Sequence, residues 1–119
     1  MTYVDGFVIP VKKSQLRAYK KMAIWGKRTL MRLGALQYFE CVGDDLNAPP
    51  GCGGFKKMAK LGRDETLFFS FIVYRNKAQR NAINRAVMKE MKGQPMPEMP
   101  FSMKRMAMGG FKPLVVGKR

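Results

Sequence analysis

The segment TLFFSFIVY, Thr66–Tyr74, sets the strongest constraint on what this chain can become. Its β-branched and aromatic residues favour a strand, and successive strand residues point to opposite faces. Both sets are largely apolar here, so both faces of the strand need cover. A chain of 119 residues makes a single domain, residues 1–119, with few helices to lay over a sheet. Helices of the same chain can cover one face. The economical cover for the other is the same sheet from a second copy, so a homodimer is expected.

The remaining segments supply the helices and the other strands. Tyr3–Val11 is β-branched and aromatic, with Pro10 marking its end or an edge position. Ser14 can cap a helix running to about Leu33, where Gly34 is the stop signal. At 100° per residue, Leu16, Tyr19, Met22, Ala23, Leu30 and Leu33 share an arc of roughly 120°. Ala35–Asp44 reads as a second strand, followed by a loop rich in Gly and Pro; FKKMAK after it fits a short strand or a turn. Asn76 with Gln79 makes a capping box for a second helix to about Lys92, with Lys77, Arg80, Arg85 and Lys89 on its polar side. A Pro/Met linker, GQPMPEMPF, leads to a last strand within Met103–Val116, which Gly109-Gly110 could bend through a bulge. The order β-α-β-β-α-β predicts an α+β, ferredoxin-like fold: an antiparallel sheet with two helices on one face, dimerising into an α/β barrel.

Composition narrows the chemistry. The chain has no histidine, which removes the usual general base, any His-dependent triad and a proximal haem ligand. It also lacks C-x-x-C spacing, so neither a metal site nor a cofactor is expected. The N-terminal charges follow the apolar stretch of MTYVDGFVIPVKK, the reverse of a secretory signal, and no apolar run approaches bilayer length. A cytoplasmic protein with Cys41 and Cys52 reduced is expected. The net charge is +15, and Lys12–Arg32 holds eight lysines and arginines without an acid. Lys13, Arg17, Lys20, Lys21, Lys27, Arg28 and Arg32 share one side of the first helix, with Trp25 at its margin. That face suits an anionic partner such as nucleic acid, or simply water.

Four segments taken together resemble a known family: YVDGFV at Tyr3–Val8, GAL-Y-ECVGDD from Gly34 to Asp45, ET-FS-I-Y at Glu65–Tyr74, and MPF--KRM--GGF at Met99–Phe111. They are similar to the YbaA-like bacterial proteins of unknown function. The resemblance implies the dimeric α/β-barrel superfamily and no particular activity. The chain departs from the pattern at Ser102 and Met103, where the family commonly shows Asp-Gly, and at Met108, where an aromatic is common.

Candidate site residues follow from strand parity. Tyr38, Glu40, Val42 and Asp44 share one face of the second strand, and an adjacent strand could bring Asp5 near Glu40. Two close carboxylates would raise one pKa and form an acid/base pair, or could equally bind a hard cation such as Mg²⁺. The competing expectation is internal pairing of Glu40 and Asp5 with Lys104 and Arg105, which would sit on opposite faces of the last strand. Asp44 and Asp45 add an acidic cluster at the strand end. The M-x-x-M pairs Met88/Met91, Met96/Met99 and Met103/Met106 suit adaptable packing more than Cu(I). The expected function is binding of a small organic anion in a cavity walled by Asp5, Tyr38, Glu40, Ser70, Tyr74, Lys104 and Arg105. The alternatives are a cofactor-independent monooxygenase or isomerase, by superfamily analogy, and a polyanion-binding module.

Overall fold

The computed structural model describes residues 2–94 and 99–119. Four strands form one antiparallel open sheet: β1 (Tyr3–Lys12), β2 (Gln37–Val42), β3 (Glu65–Tyr74) and β4 (Ala107–Phe111), in the order β2-β3-β1-β4. Two long helices, α1 (Leu16–Arg32) and α3 (Lys77–Met91), lie on one face, and a one-turn helix α2 (Phe55–Met58) interrupts the β2–β3 loop. The FKKMAK segment is thus neither strand nor simple turn. Residues 95–98 of the Pro/Met linker, and with them Met96 of the Met96/Met99 pair, lie outside the described residues.

Local signals account for the helix ends with two adjustments. A 3-10 turn at Lys13–Gln15 precedes α1, and Ser14 lies inside it and does not cap the helix. Gly34 then ends α1 at φ 115°, a left-handed conformation that favours glycine. At α3 the Asn76 side chain accepts the Gln79 N–H at 2.8 Å. Gln79 in turn accepts the Arg75 N–H at 2.6 Å and donates to the Gly34 carbonyl at 2.9 Å. One side chain therefore fastens the start of α3 to the end of α1.

The core sits between sheet and helices in two clusters. One gathers Tyr3, Ala35, Ile72, Tyr74 and Ile83, and the other Ile9, Val11, Tyr19 and Ala23; Phe7 packs against both. The last strand is shorter than its pattern suggested, because Met103–Arg105 closes into a 3-10 turn before Ala107. Its ladder with β1 is regular through Gly109 and Gly110, without the expected bulge. The second glycine serves packing, since a Cβ there would overlap the Tyr3 side chain.

The other sheet face carries a partly exposed aromatic patch. Phe39 and Phe71 stack across β2 and β3 with ring centres 4.7 Å apart, Phe69 follows, and Phe55 of α2 meets Phe69 edge-on at 6.4 Å. Phe39 is 44% exposed, Phe69 47% and Phe111 61%. The slab is only 24 Å thick against 41 and 40 Å across, and its radius of gyration is 15.5 Å. A compact single domain of this length would have about 13.5 Å.

Candidate functional site: a carboxylate cleft beneath the first helix

Strand register builds the centre of the site. Glu40 of β2 lies opposite Ser70 of β3, so both side chains rise toward the helices. The Ser70 hydroxyl donates to Glu40 Oε2, and Tyr19, descending from α1, donates to the same oxygen at 2.8 Å. Tyr38, two residues earlier on β2, donates to Oε1 at 3.0 Å. Burial, reinforced by the Glu40 charge, pushes the hydroxyls of Tyr19 and Tyr38 well above the usual tyrosine range. They remain donors throughout the physiological pH range.

A cleft of about 480 Å³ opens beside this carboxylate. Leu16, Ala23, Ile24, Val42 and Phe68 form its apolar walls, and Lys20 and Lys27 border it from α1. The volume lies within the roughly 300–1,000 Å³ of small-molecule sites. Gly26 lets α1 approach closely: a Cβ there would stand 2.8 Å from the Tyr38 hydroxyl. Alanine normally improves a helix interior by about 1 kcal/mol over glycine. Gly26→Ala is nevertheless expected to lower stability in urea denaturation, because it displaces the Tyr38 hydroxyl from Glu40. In a Tyr38→Phe background the same substitution should stabilise; a stabilising effect in both backgrounds would refute the contact.

The other sequence candidates are dispersed. Asp5 shares this sheet face with Glu40, but β3 separates them and each carboxylate has its own partners. Asp5 is 2% exposed and pairs with Arg80 of α3 at 3.2 Å. Arg80 also donates to the Tyr3 hydroxyl at 3.3 Å and lies 4.9 Å from the centre of the Tyr3 ring. Its Nε is buried without a partner among the described residues. Burial raises the Asp5 carboxyl above its ordinary value, against the pull of the Arg80 charge. Neighbouring Tyr74 is pushed up to about 12 by burial and by Asp5.

The expected pairing of Glu40 and Asp5 with Lys104 and Arg105 does not occur. Both cations lie in a 3-10 turn, not on opposite faces of a strand. Arg105 donates to Glu65 and to the carbonyls of Ala59 and Lys60, at 3.1 and 2.9 Å. It thereby clamps the end of α2, where Lys60 takes a left-handed φ of 51°. Its bond, with one from the Gly62 N–H, holds the Glu65 carboxyl below the usual glutamate range. Lys104 is exposed, as are Asp44 and Asp45 in the loop after β2. Among the described residues, no group of three or more carboxylates and thiols could hold a metal ion. Cys41 and Cys52 are exposed free thiols.

All seven cations of the first-helix face, Lys13, Arg17, Lys20, Lys21, Lys27, Arg28 and Arg32, are exposed, and Arg32 pairs with Glu90 at 2.6 Å. Sequence reasoning missed Tyr19, placed only in the apolar stripe, and Arg80, placed on the outer side of its helix. Strand parity pointed to Tyr38, Glu40 and Ser70, and Gly26 in mid-helix, a position that usually marks a packing requirement, would have pointed to the close approach of α1.

An α+β protein with a four-stranded antiparallel open sheet, three helices and a carboxylate cleft is thereby defined. The chain belongs to the family described as protein of unknown function (DUF1428), whose model matches residues 2–103. It is 36% identical over 117 residues to the uncharacterised protein YbaA of Escherichia coli, an alignment covering 97% of this chain and 98% of that one. The same figures hold for YbaA of Shigella flexneri. The resemblance read from the four sequence segments is thus borne out. Among solved structures, a protein of unknown function from Nitrosomonas europaea aligns over 100% of this chain and 96% of its own, with a TM-score of 0.49 and 16% identity. Among the described residues, no helix is long and apolar enough to cross a membrane.

Proposed function

We propose that the protein binds a small organic anion in the cleft between α1 and the β2–β3 half of the sheet. The observation that carries this reading is the combination of an apolar-walled 480 Å³ cleft, a prearranged carboxylate inside it and two lysines along it. Such concavities with a few fixed polar groups are the usual form of small-molecule sites. The strand order and the partly exposed aromatic face support a ferredoxin-like unit that pairs sheet to sheet as a dimeric α/β barrel. Two exposed thiols suit a reducing compartment, and we place the protein in the cytoplasm.

A second reading has its own support. Trp25 is 49% exposed in the cation-rich outer face of α1, where it could stack on a base of a bound nucleic acid. Native mass spectrometry of gently purified protein, with and without a panel of aryl and acyl carboxylates, tests both. The expected result is a dimer carrying one small-molecule adduct per protomer, weakened in a Lys20→Ala/Lys27→Ala variant. A monomer at micromolar concentration would overturn the dimer. Failure of every carboxylate to bind would overturn the cleft reading, and RNA retained through a high-salt wash would favour the second.

A further inference from the structure

We infer that the ligand is an amphipathic anion bearing a hydrogen-bond donor, a hydroxyl or amino group, at the end of its apolar body remote from its acid group. This rests on the cleft reading above. A carboxylate has about four acceptor positions and no donor. Around Glu40, Tyr19 and Ser70 fill Oε2, whereas Oε1 receives Tyr38 alone. Oε1 thus keeps an acceptor position, on a side chain that lines the cleft. All three neighbours are hydroxyls turned toward the carboxylate, and the three ion pairs among the described residues leave Glu40 out. A ligand acid group directed inward would meet this charge at short range in a poorly solvated wall, which is unfavourable.

The acid group is therefore directed along α1. Lys20 and Lys27 both line the cleft and, seven residues apart, lie about 10 Å from each other along the helix axis. Leu16, Ala23, Ile24, Val42 and Phe68 make up the apolar lining and disfavour further polar groups on the body of the ligand. The orientation of a bound molecule follows from the signs of these groups: acid at the lysines, ring or chain against Phe68 and Val42, donor on Glu40.

Isothermal titration of the full chain with phenylpropionate and its para-hydroxy and para-amino derivatives tests this. A hydrogen bond to a charged group corresponds to about tenfold or more in affinity. At least one donor-bearing derivative is expected to bind that much more tightly than the parent. The preference should vanish in Glu40→Gln, whereas Lys27→Ala should weaken every compound alike. Should Glu40→Gln fail to fold, the wild-type comparison alone decides. Equal binding of all three compounds overturns the donor assignment and leaves the cleft reading intact. Absence of saturable binding by all three and by the carboxylate panel overturns both.

Discussion

Replacing Arg80 with alanine is expected to destabilise the fold by about 3–5 kcal/mol, the usual consequence of leaving one member of a buried ion pair alone. Asp5 is almost fully buried and Arg80 is its ion-pair partner at 3.2 Å. The substitution also removes a donor from the Tyr3 hydroxyl and a cation from above its ring. Total stabilities of single domains are about 5–15 kcal/mol, so the variant should unfold at far lower urea concentration.

The pH dependence gives this expectation a second readout. Burial raises the folded-state pKa of Asp5 above its ordinary value of 3.8. Protonation therefore favours the folded form, and the Asp5 contribution declines as pH rises through that elevated folded value. Without Arg80 the elevation grows, so the decline extends further upward in pH. The deficit of Arg80→Ala relative to wild type should accordingly be large at neutral pH and shrink as pH falls toward 3.8. A deficit under about 1 kcal/mol, or one constant across pH, would refute the assignment.

The second large effect concerns the partly exposed aromatic sheet face. Phe69→Asp is expected to turn the proposed dimer into a folded monomer, read as a halved mass by light scattering. Phe69 is half exposed within the single chain, so its loss disturbs the internal core little. In a two-fold dimer each substitution acts twice, and hot-spot aromatics contribute about 2 kcal/mol or more apiece. The dissociation constant should rise roughly a thousandfold or more. Retention of the dimer in the variant would place the interface elsewhere.

Much of the fold was legible because its signals are local and periodic. TLFFSFIVY became β3, the Asn76–Gln79 pair caps α3, and the apolar stripe of α1 faces the sheet. The parity of β2 put Tyr38 and Glu40 on one face, and they are joined there. What stayed hidden depends on contacts between distant segments. Arg80 lies on the polar side of its helix by periodicity, yet its long side chain reaches Asp5, 75 residues earlier. Tyr19 counts as apolar in a stripe, so periodicity gave no sign that its hydroxyl would reach Glu40. Lys104 and Arg105 were assigned to the last strand by continuity with Ala107–Phe111. The bonds of Arg105 to Glu65 and to the end of α2 run instead across about 40 residues of chain.

The overlap between Tyr3 and any side chain at position 110 has a meaning for how such sequences diverge. The two positions draw on one shared volume, so a side chain at 110 cannot be added without a shift or a change at Tyr3. A relative with a side chain at 110 needs the tyrosine at 3 displaced or replaced by something smaller. With that ring goes the surface on which the Arg80 guanidinium rests. The amino-acid pair at these two positions is thus a written trace, readable without coordinates, of whether a descendant has kept the aromatic surface beside its buried charge pair.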